Sequence, residues 1–139
     1  MAVVRVLLVD DSFPCRRFVR AILDARRSFQ VVGEAAHGFD AVRQATRLKP
    51  DLILLDIGLP RLNGLAAASQ IQQIVPGTRI LFVTMNSDAE VVRAALDTGA
   101  KGYVLKVDAA NELWPAIEAV LRGKQFVSSG VARLGTDSS

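Results

Sequence analysis

Short, nearly continuous apolar runs alternate along this chain with longer stretches whose apolar residues recur every three or four positions. The runs are Val3–Val9, Gln30–Gly33, Leu52–Leu55, Ile80–Val83 and Gly102–Leu105. Four of them are unbroken enough to be strands buried on both faces, the habit of parallel sheets. Between the runs, 13–28 places Phe18, Ile22, Ala25 and Phe29 on one helical stripe, with Arg16, Arg20 and Arg27 roughly opposite on a predicted solvated face. Helical spacing recurs over 39–48, 65–74, 88–98 and 109–122, the last carrying Leu113, Ile117, Val120 and Leu121. Five strands alternating with five helices predict an α/β fold, a parallel sheet with right-handed crossovers and helices on both faces.

Punctuation agrees with this reading. Ser12 can cap the first helix with Pro14 inside its first turn; Pro50, Pro76-Gly77 and Gly99 follow the second, third and fourth, and Asp108 and Gly123 bracket the fifth. Pro115 lies inside the fifth helical stretch, which predicts either a later start or a kink. The folded domain is expected over 1–123. In 124–139, Phe126, Val127, Val131 and Leu134 suit a short extra helix before a polar linker.

Composition narrows the class. At 139 residues, half hydrophobic and 22% charged, the chain suits one packed domain rather than a disordered one. Cys15 is the one cysteine, which excludes an internal disulfide and a Cys-rich zinc site and is expected to be a small buried residue. No apolar run approaches the ~18–20 residues of a membrane span. The opening residues run into Asp10-Asp11 with no basic leader, so no signal peptide is read and a cytoplasmic location is expected. The net charge of +3 invites a nucleic-acid reading, but the arginines of 13–28 carry no interleaved aromatic platform for bases.

In open α/β sheets ligands bind at the carboxyl ends of the strands. The first run ends at Asp10-Asp11, the third at Asp56, the fourth at Thr84 and the fifth at Lys106; the second ends without such a group, as an outer strand would. Each residue has a plain alternative: Asp10-Asp11 and Thr84 as helix caps, Asp56 as a turn residue, Lys106 as a surface cation. Their convergence is the informative feature. Three carboxylates and one ammonium leave a formal charge of −2, an oxygen-rich deficit that suits Mg²⁺. The lone His37 lies in the loop after the second strand and offers no zinc site there. A hydroxyl and an ammonium are superfluous for the metal but suit phosphoryl oxygens, so the set reads as an aspartyl-phosphate site.

At these residues the chain resembles the receiver domains of two-component response regulators. Val6-Leu7-Leu8-Val9-Asp10-Asp11-Ser12 looks like the family's acidic pair after its first strand. Asp51–Pro60 with Asn63-Gly64 looks like its phosphoacceptor segment, and Val83-Thr84 and Gly99–Lys106 look like its switch and lysine segments. The wording is nearest to the NarL/LuxR type and the match covers about residues 3–123. The resemblance implies a flavodoxin-like doubly wound (βα)5 sandwich with a five-stranded sheet in the order 2-1-3-4-5. It implies phosphorylation of Asp56 by a sensor histidine kinase, with Mg²⁺ held by Asp11, Asp56 and the Gly58 carbonyl and supported by Asp10. Lys106 and Thr84 would bind the phosphoryl oxygens, and movement of Thr84 would let Tyr103 turn inward. Such a domain is a regulatory switch rather than an enzyme with an external substrate. Homodimerisation on phosphorylation through the fourth and fifth helices is implied as well.

Some positions depart from the pattern. Val107 follows Lys106 where many members have proline with a cis bond; before valine that bond would cost about 2.5–4 kcal/mol, so this loop is expected to differ. Met85 stands where a small residue is frequent in the family and is expected to narrow access, and the resemblance implies that the positions of Gly58 and Asn86 tune phosphoryl lifetime. NarL/LuxR-type regulators reach DNA through a C-terminal helix-turn-helix domain. The 139 residues do not hold one, so the chain reads as a receiver taken from a longer transcription factor, with a single-domain regulator or an interaction-only pseudo-receiver as alternatives. A phosphohydrolase of the haloacid-dehalogenase type is disfavoured because Ile57-Gly58 replaces the acid expected two residues after the nucleophile. A flavodoxin-like nucleotide binder lacks its Gly-rich loop.

Overall fold

A computed structural model describes residues 2–131. The elements run β1 (Val4–Val9), α1 (Phe13–Asp24), β2 (Phe29–Ala35), α2 (Gly38–Leu48), β3 (Leu52–Leu55), α3 (Gly64–Ile74), β4 (Arg79–Thr84), α4 (Ala89–Asp97), β5 (Gly102–Leu105), α5 (Ala109–Leu121) and β6 (Phe126–Val127). Every strand pair is parallel, and the sheet order is β2-β1-β3-β4-β5-β6.

Alternation along the central strands explains the two layers. Leu7, Val9, Ile53, Leu55, Ile80 and Phe82 point to one face, where Ala41 and Ala45 of α2, Ile71 of α3 and Ala95 of α4 cover them. Val6, Leu8, Leu52, Leu54, Leu81 and Val83 point to the other, against Val19 and Leu23 of α1 and Leu113, Ile117 and Val120 of α5. Side chains on successive strand residues alternate sides, so a continuous apolar run serves both layers at once.

Three expectations are corrected. The expected five strands are six: Phe126 and Val127, read as helical, extend the sheet instead. The Phe126 amide donates to the Lys101 carbonyl at 2.9 Å and the Ser128 amide to the Tyr103 carbonyl at 2.8 Å. The β5 edge offers these free partners, and two bulky residues suit an edge strand as well as a helix. Residues 129–131 are helical, and Leu134 lies outside the described residues.

The stripe assigned to 13–28 is also cut short. Helix α1 ends at Asp24, and Phe29 opens β2 with its ring edge-on to Trp114 at 4.9 Å. The buried positions of α1 are Val19 and Leu23, while Phe18 is 48% exposed. Finally, α5 starts at Ala109 and runs through Pro115, preceded by a 3₁₀ turn at Lys106–Asp108. Pro115 has no N–H for the carbonyl four residues before it, yet Leu113, Ala116 and Ile117 beside it are fully buried. Tertiary packing outweighs one missing helical bond. Ser12 does cap α1, its side chain accepting from the Cys15 amide at 3.3 Å.

Candidate functional site

The carboxyl ends of β1, β3, β4 and β5 open into one cleft of about 510 Å³, lined by Asp11, Ser12, Cys15, Asp56, Gly58, Thr84, Met85, Asn86 and Lys106 among others. One carboxylate oxygen from each of Asp10, Asp11 and Asp56 lies within 4.8 Å of the others. Asp10 and Asp56 are buried at 7% exposure each, whereas Asp11 faces solvent. Lys106 reaches across from the end of β5 and sets its Nζ 2.8 Å from Asp10 Oδ2 and 3.1 Å from Asp56 Oδ2. The other oxygen of each buried carboxylate accepts from a backbone amide: Asp10 Oδ1 from Ser12 at 2.8 Å, Asp56 Oδ1 from Ile57 at 2.7 Å.

The plain alternatives for these residues can now be weighed. Capping of α1 falls to Ser12 and of α4 to Asp88, so neither the acid pair nor Thr84 is spent as a cap. Thr84 Oγ1 instead accepts the Asn86 amide at 3.3 Å within its own loop. Lys106 is no surface cation: its side chain is 18% exposed and bridges two acids. His37 caps α2 through Nδ1, away from the cleft. Asp108 makes no side-chain cap on α5; its carboxylate accepts the Ser128 hydroxyl.

One feature differs from the sequence reading, and the expected departure in the loop after Lys106 is present. Cys15 is half-buried and lines the cleft instead of sitting in the core. The loop after Lys106 forms the 3₁₀ turn with Val107 84% exposed, and no cis peptide bond occurs among the described residues. Met85 lines the cleft rim at 77% exposure.

Electrostatics mark the cluster as short of positive charge. Burial raises the Asp10 carboxyl above the usual carboxylate range, and the Asp56 charge adds to the rise; the hydrogen bonds from Lys106 and the Ser12 amide offset it only in part. Burial works against the Lys106 ammonium, but hydrogen bonds to Asp10 and Asp56 more than compensate and hold it above the ordinary lysine range. All convergent donors are oxygens, and the one ammonium bridges two of the three carboxylates. That donor set fits a hard divalent cation such as Mg²⁺.

Tyr103 is fully buried under α4, with its hydroxyl donating to the Asn86 carbonyl at 2.5 Å. Burial first, and then the Asp56 and Asp88 charges, push its phenol up to about 12. A group whose value rises on folding stabilises fully below its unfolded value, about 10 for tyrosine, and loses that contribution as pH climbs to the folded one. Tyr103 is the chain's one tyrosine, so phenolate absorbance reads it alone. We expect the folded protein to titrate near 12 and the Tyr103→Phe variant to lose less stability across that alkaline window. A phenol titrating at about 10 in folded protein would contradict the buried placement.

Three participants escaped the sequence reading. Arg16, assigned to the solvated face, is turned into the β1–α1 junction with a side chain only 15% exposed. Gly64 lies against the Asp56 backbone, where a Cβ would sit 2.0 Å from the Asp56 carbonyl oxygen. The Ile57 amide on Asp56 carries no side-chain signal. Only the Asn63-Gly64 pair before α3 hinted at a tight junction.

Comparison with known proteins agrees with this geometry. The family model described as "Response regulator receiver domain" matches residues 6–118. The "uncharacterized transcriptional regulatory protein YxjL" of Bacillus subtilis is 38% identical over 121 residues, covering 87% of this chain and 56% of that protein. Transcriptional regulatory protein LiaR of the same organism is 36% identical over 129 residues, covering 93% of this chain and 61% of that protein. The chain therefore spans a little over half the length of these curated relatives. The crystal structure of a LuxR-family two-component response regulator from Aurantimonas sp. superposes with a TM-score of 0.89 at 35% identity, covering 95% of this chain and 94% of that one. With the sheet order and the acid–lysine cleft, these matches establish that the chain belongs to the response regulator receiver domains, of the NarL/LuxR type.

Proposed function

We propose that Asp56 accepts a phosphoryl group from a partner sensor histidine kinase in a Mg²⁺-dependent reaction, and that the phosphorylated form switches an output. The observation carrying this reading is the Lys106 ammonium shared between Asp10 and Asp56 at the open end of the sheet. An Asp56 oxygen attacks the donor phosphorus as the P–N bond of a phosphohistidine breaks, its electron pair staying on the imidazole, which takes a proton from solvent. Lys106 and the Thr84 hydroxyl bind the transferred oxygens, replacing part of the contact Lys106 makes with the free carboxylate. The carboxylates of Asp11 and Asp56 and the Gly58 carbonyl would hold Mg²⁺, supported by Asp10, and the ion when bound supplies charge neutralisation for the incoming group. Later attack of water on phosphorus restores the carboxylate, so the domain is a timed switch that turns over no external substrate.

The output is transcription in the cytoplasm, through a DNA-binding helix-turn-helix domain of a longer protein, with self-association through α4 and α5. Support comes from the relatives' description as transcriptional regulatory proteins and from Tyr103 on β5, whose hydroxyl donates to the Asn86 carbonyl in the loop after Thr84. Among the described residues no helix is long and apolar enough to cross a membrane.

Intact-mass spectrometry after incubation with acetyl phosphate tests the chemistry. One phosphoryl group gained with Mg²⁺ and none with excess chelator is expected. An adduct indifferent to the metal, or none in either condition, would overturn the proposal.

A further inference from the structure

We propose that Arg16 is a positioning residue for the metal-binding turn, holding the peptide between Asp10 and Asp11 from outside the cleft; the inference rests on the Mg²⁺ reading above. The need for it lies in how β1 ends. The Val9 carbonyl accepts the Asp56 amide at 2.9 Å, and the Asp10 amide donates to the Ala35 carbonyl at 3.0 Å. There β2 stops, and among the described residues no backbone N–H donates to the Asp10 carbonyl. A buried carbonyl without a partner is costly.

Arg16 supplies the missing rung. Its Nη1 donates to the Asp10 carbonyl at 2.5 Å and its Nε to Glu34 Oε1 at 2.9 Å. Glu34 is a fixed anchor. It sits on β2 in register with Leu8, its second carboxylate oxygen accepts from Arg20, and its backbone carbonyl accepts from the buried Gln44 at 2.7 Å. The Phe13 ring, 5.6 Å from the guanidinium carbon, lies over the group. The planar fork of a guanidinium holds its two acceptors in one fixed plane, a geometry that a lysine ammonium does not impose. Since the held carbonyl belongs to the peptide entering Asp11, Arg16 fixes the angle at which the chain leaves β1. It thereby fixes where the exposed Asp11 carboxylate stands relative to Asp56.

Position and charge act in opposite directions, which makes the proposal decidable. A guanidinium that merely neutralised nearby acids would weaken cation binding, so its removal would tighten Mg²⁺. One that positions the turn has the reverse effect. Calorimetric Mg²⁺ titration of the whole chain should find Arg16→Met at least about tenfold weaker than wild type. Arg16→Lys should lie between, because an ammonium restores a donor without the fixed plane of the guanidinium. Equal or tighter binding by Arg16→Met would overturn the proposal. Amide exchange of the metal-free proteins gives a second readout. We expect Arg16→Met to exchange at least about tenfold faster at Asp10 and Ser12, with the amides of β3 and β4 unchanged. Unchanged exchange at the turn, or a rise across the whole sheet, would also overturn it. If wild type itself binds no Mg²⁺, the metal reading fails, and the exchange result still decides whether Arg16 holds the turn.

Discussion

Asp56→Asn gains no phosphoryl group from acetyl phosphate and Mg²⁺ under conditions in which the wild type is modified. An amide cannot form the acyl phosphate, so the expected loss is complete rather than graded. The same substitution leaves the fold intact. Asparagine is isosteric and its side-chain oxygen keeps the Ile57 amide as donor; its NH2 then stands where an oxygen faced Lys106, which keeps Asp10 at 2.8 Å as its partner. Lys106 gives up one of its two carboxylate partners while the repulsion between the Asp10 and Asp56 carboxylates is relieved, and because these effects oppose each other the net change is about 1 kcal/mol. Thermal unfolding followed by circular dichroism checks this beside the mass measurement. Modification that survives in Asp56→Asn would place the acceptor elsewhere and remove the reason for assigning the cleft its role.

Gly64→Ala is expected to destabilise the domain by about 3 kcal/mol or more, at the upper end of overpacking costs. A Cβ at this position would meet the Asp56 carbonyl oxygen at 2.0 Å, the Ile57 Cα at 2.7 Å and the Asp56 carbonyl carbon at 2.9 Å. All three are backbone atoms, so no side chain can swing away. Helix α3 must lift off the end of β3, or the Asp56–Ile57 peptide must turn and carry the acceptor carboxylate with it. Such a cost corresponds to a melting temperature lowered on the order of 10 °C. Mg²⁺ affinity should fall as well, because the peptide that moves carries Asp56. Gly58→Ala is the matched control: no atom lies within 4 Å of its would-be Cβ, and its effect should stay within about 0.5 kcal/mol. Equal melting of the two variants would show that the Gly64 approach is not a close constraint.

The candidate site was legible because its residues follow directly on strand ends. A run such as Leu52–Leu55 fixes where a strand stops, and in a parallel sheet every strand stops on the same side of the molecule. Asp10, Asp11, Asp56, Thr84 and Lys106 could therefore be brought together before any distance was known. The helix boundaries were legible to within a few residues for a related reason. A cap such as Ser12 acts over three residues, a range that sequence reports directly.

Longer-range choices were hidden. The stripe read through Phe18 and Ile22 put Arg16 on the far side of α1, but the buried positions are Val19 and Leu23, and Arg16, three and seven residues before them, shares their face and meets the end of β2 at Glu34. Phe29 continued the same stripe by spacing, yet the ring of Trp114, far along the chain, competes for it. Phe126 and Val127 suit helix and strand alike, and the free edge of β5 decided for strand. Gly64 is an ordinary helix-start residue until the Asp56 backbone arrives within 2.0 Å of its absent side chain. Pattern and capping are local interactions and so are written in the order of the residues. Which group meets a buried carbonyl, an open strand edge or a missing Cβ depends on chain segments distant in sequence, and those meet only when the sheet has formed.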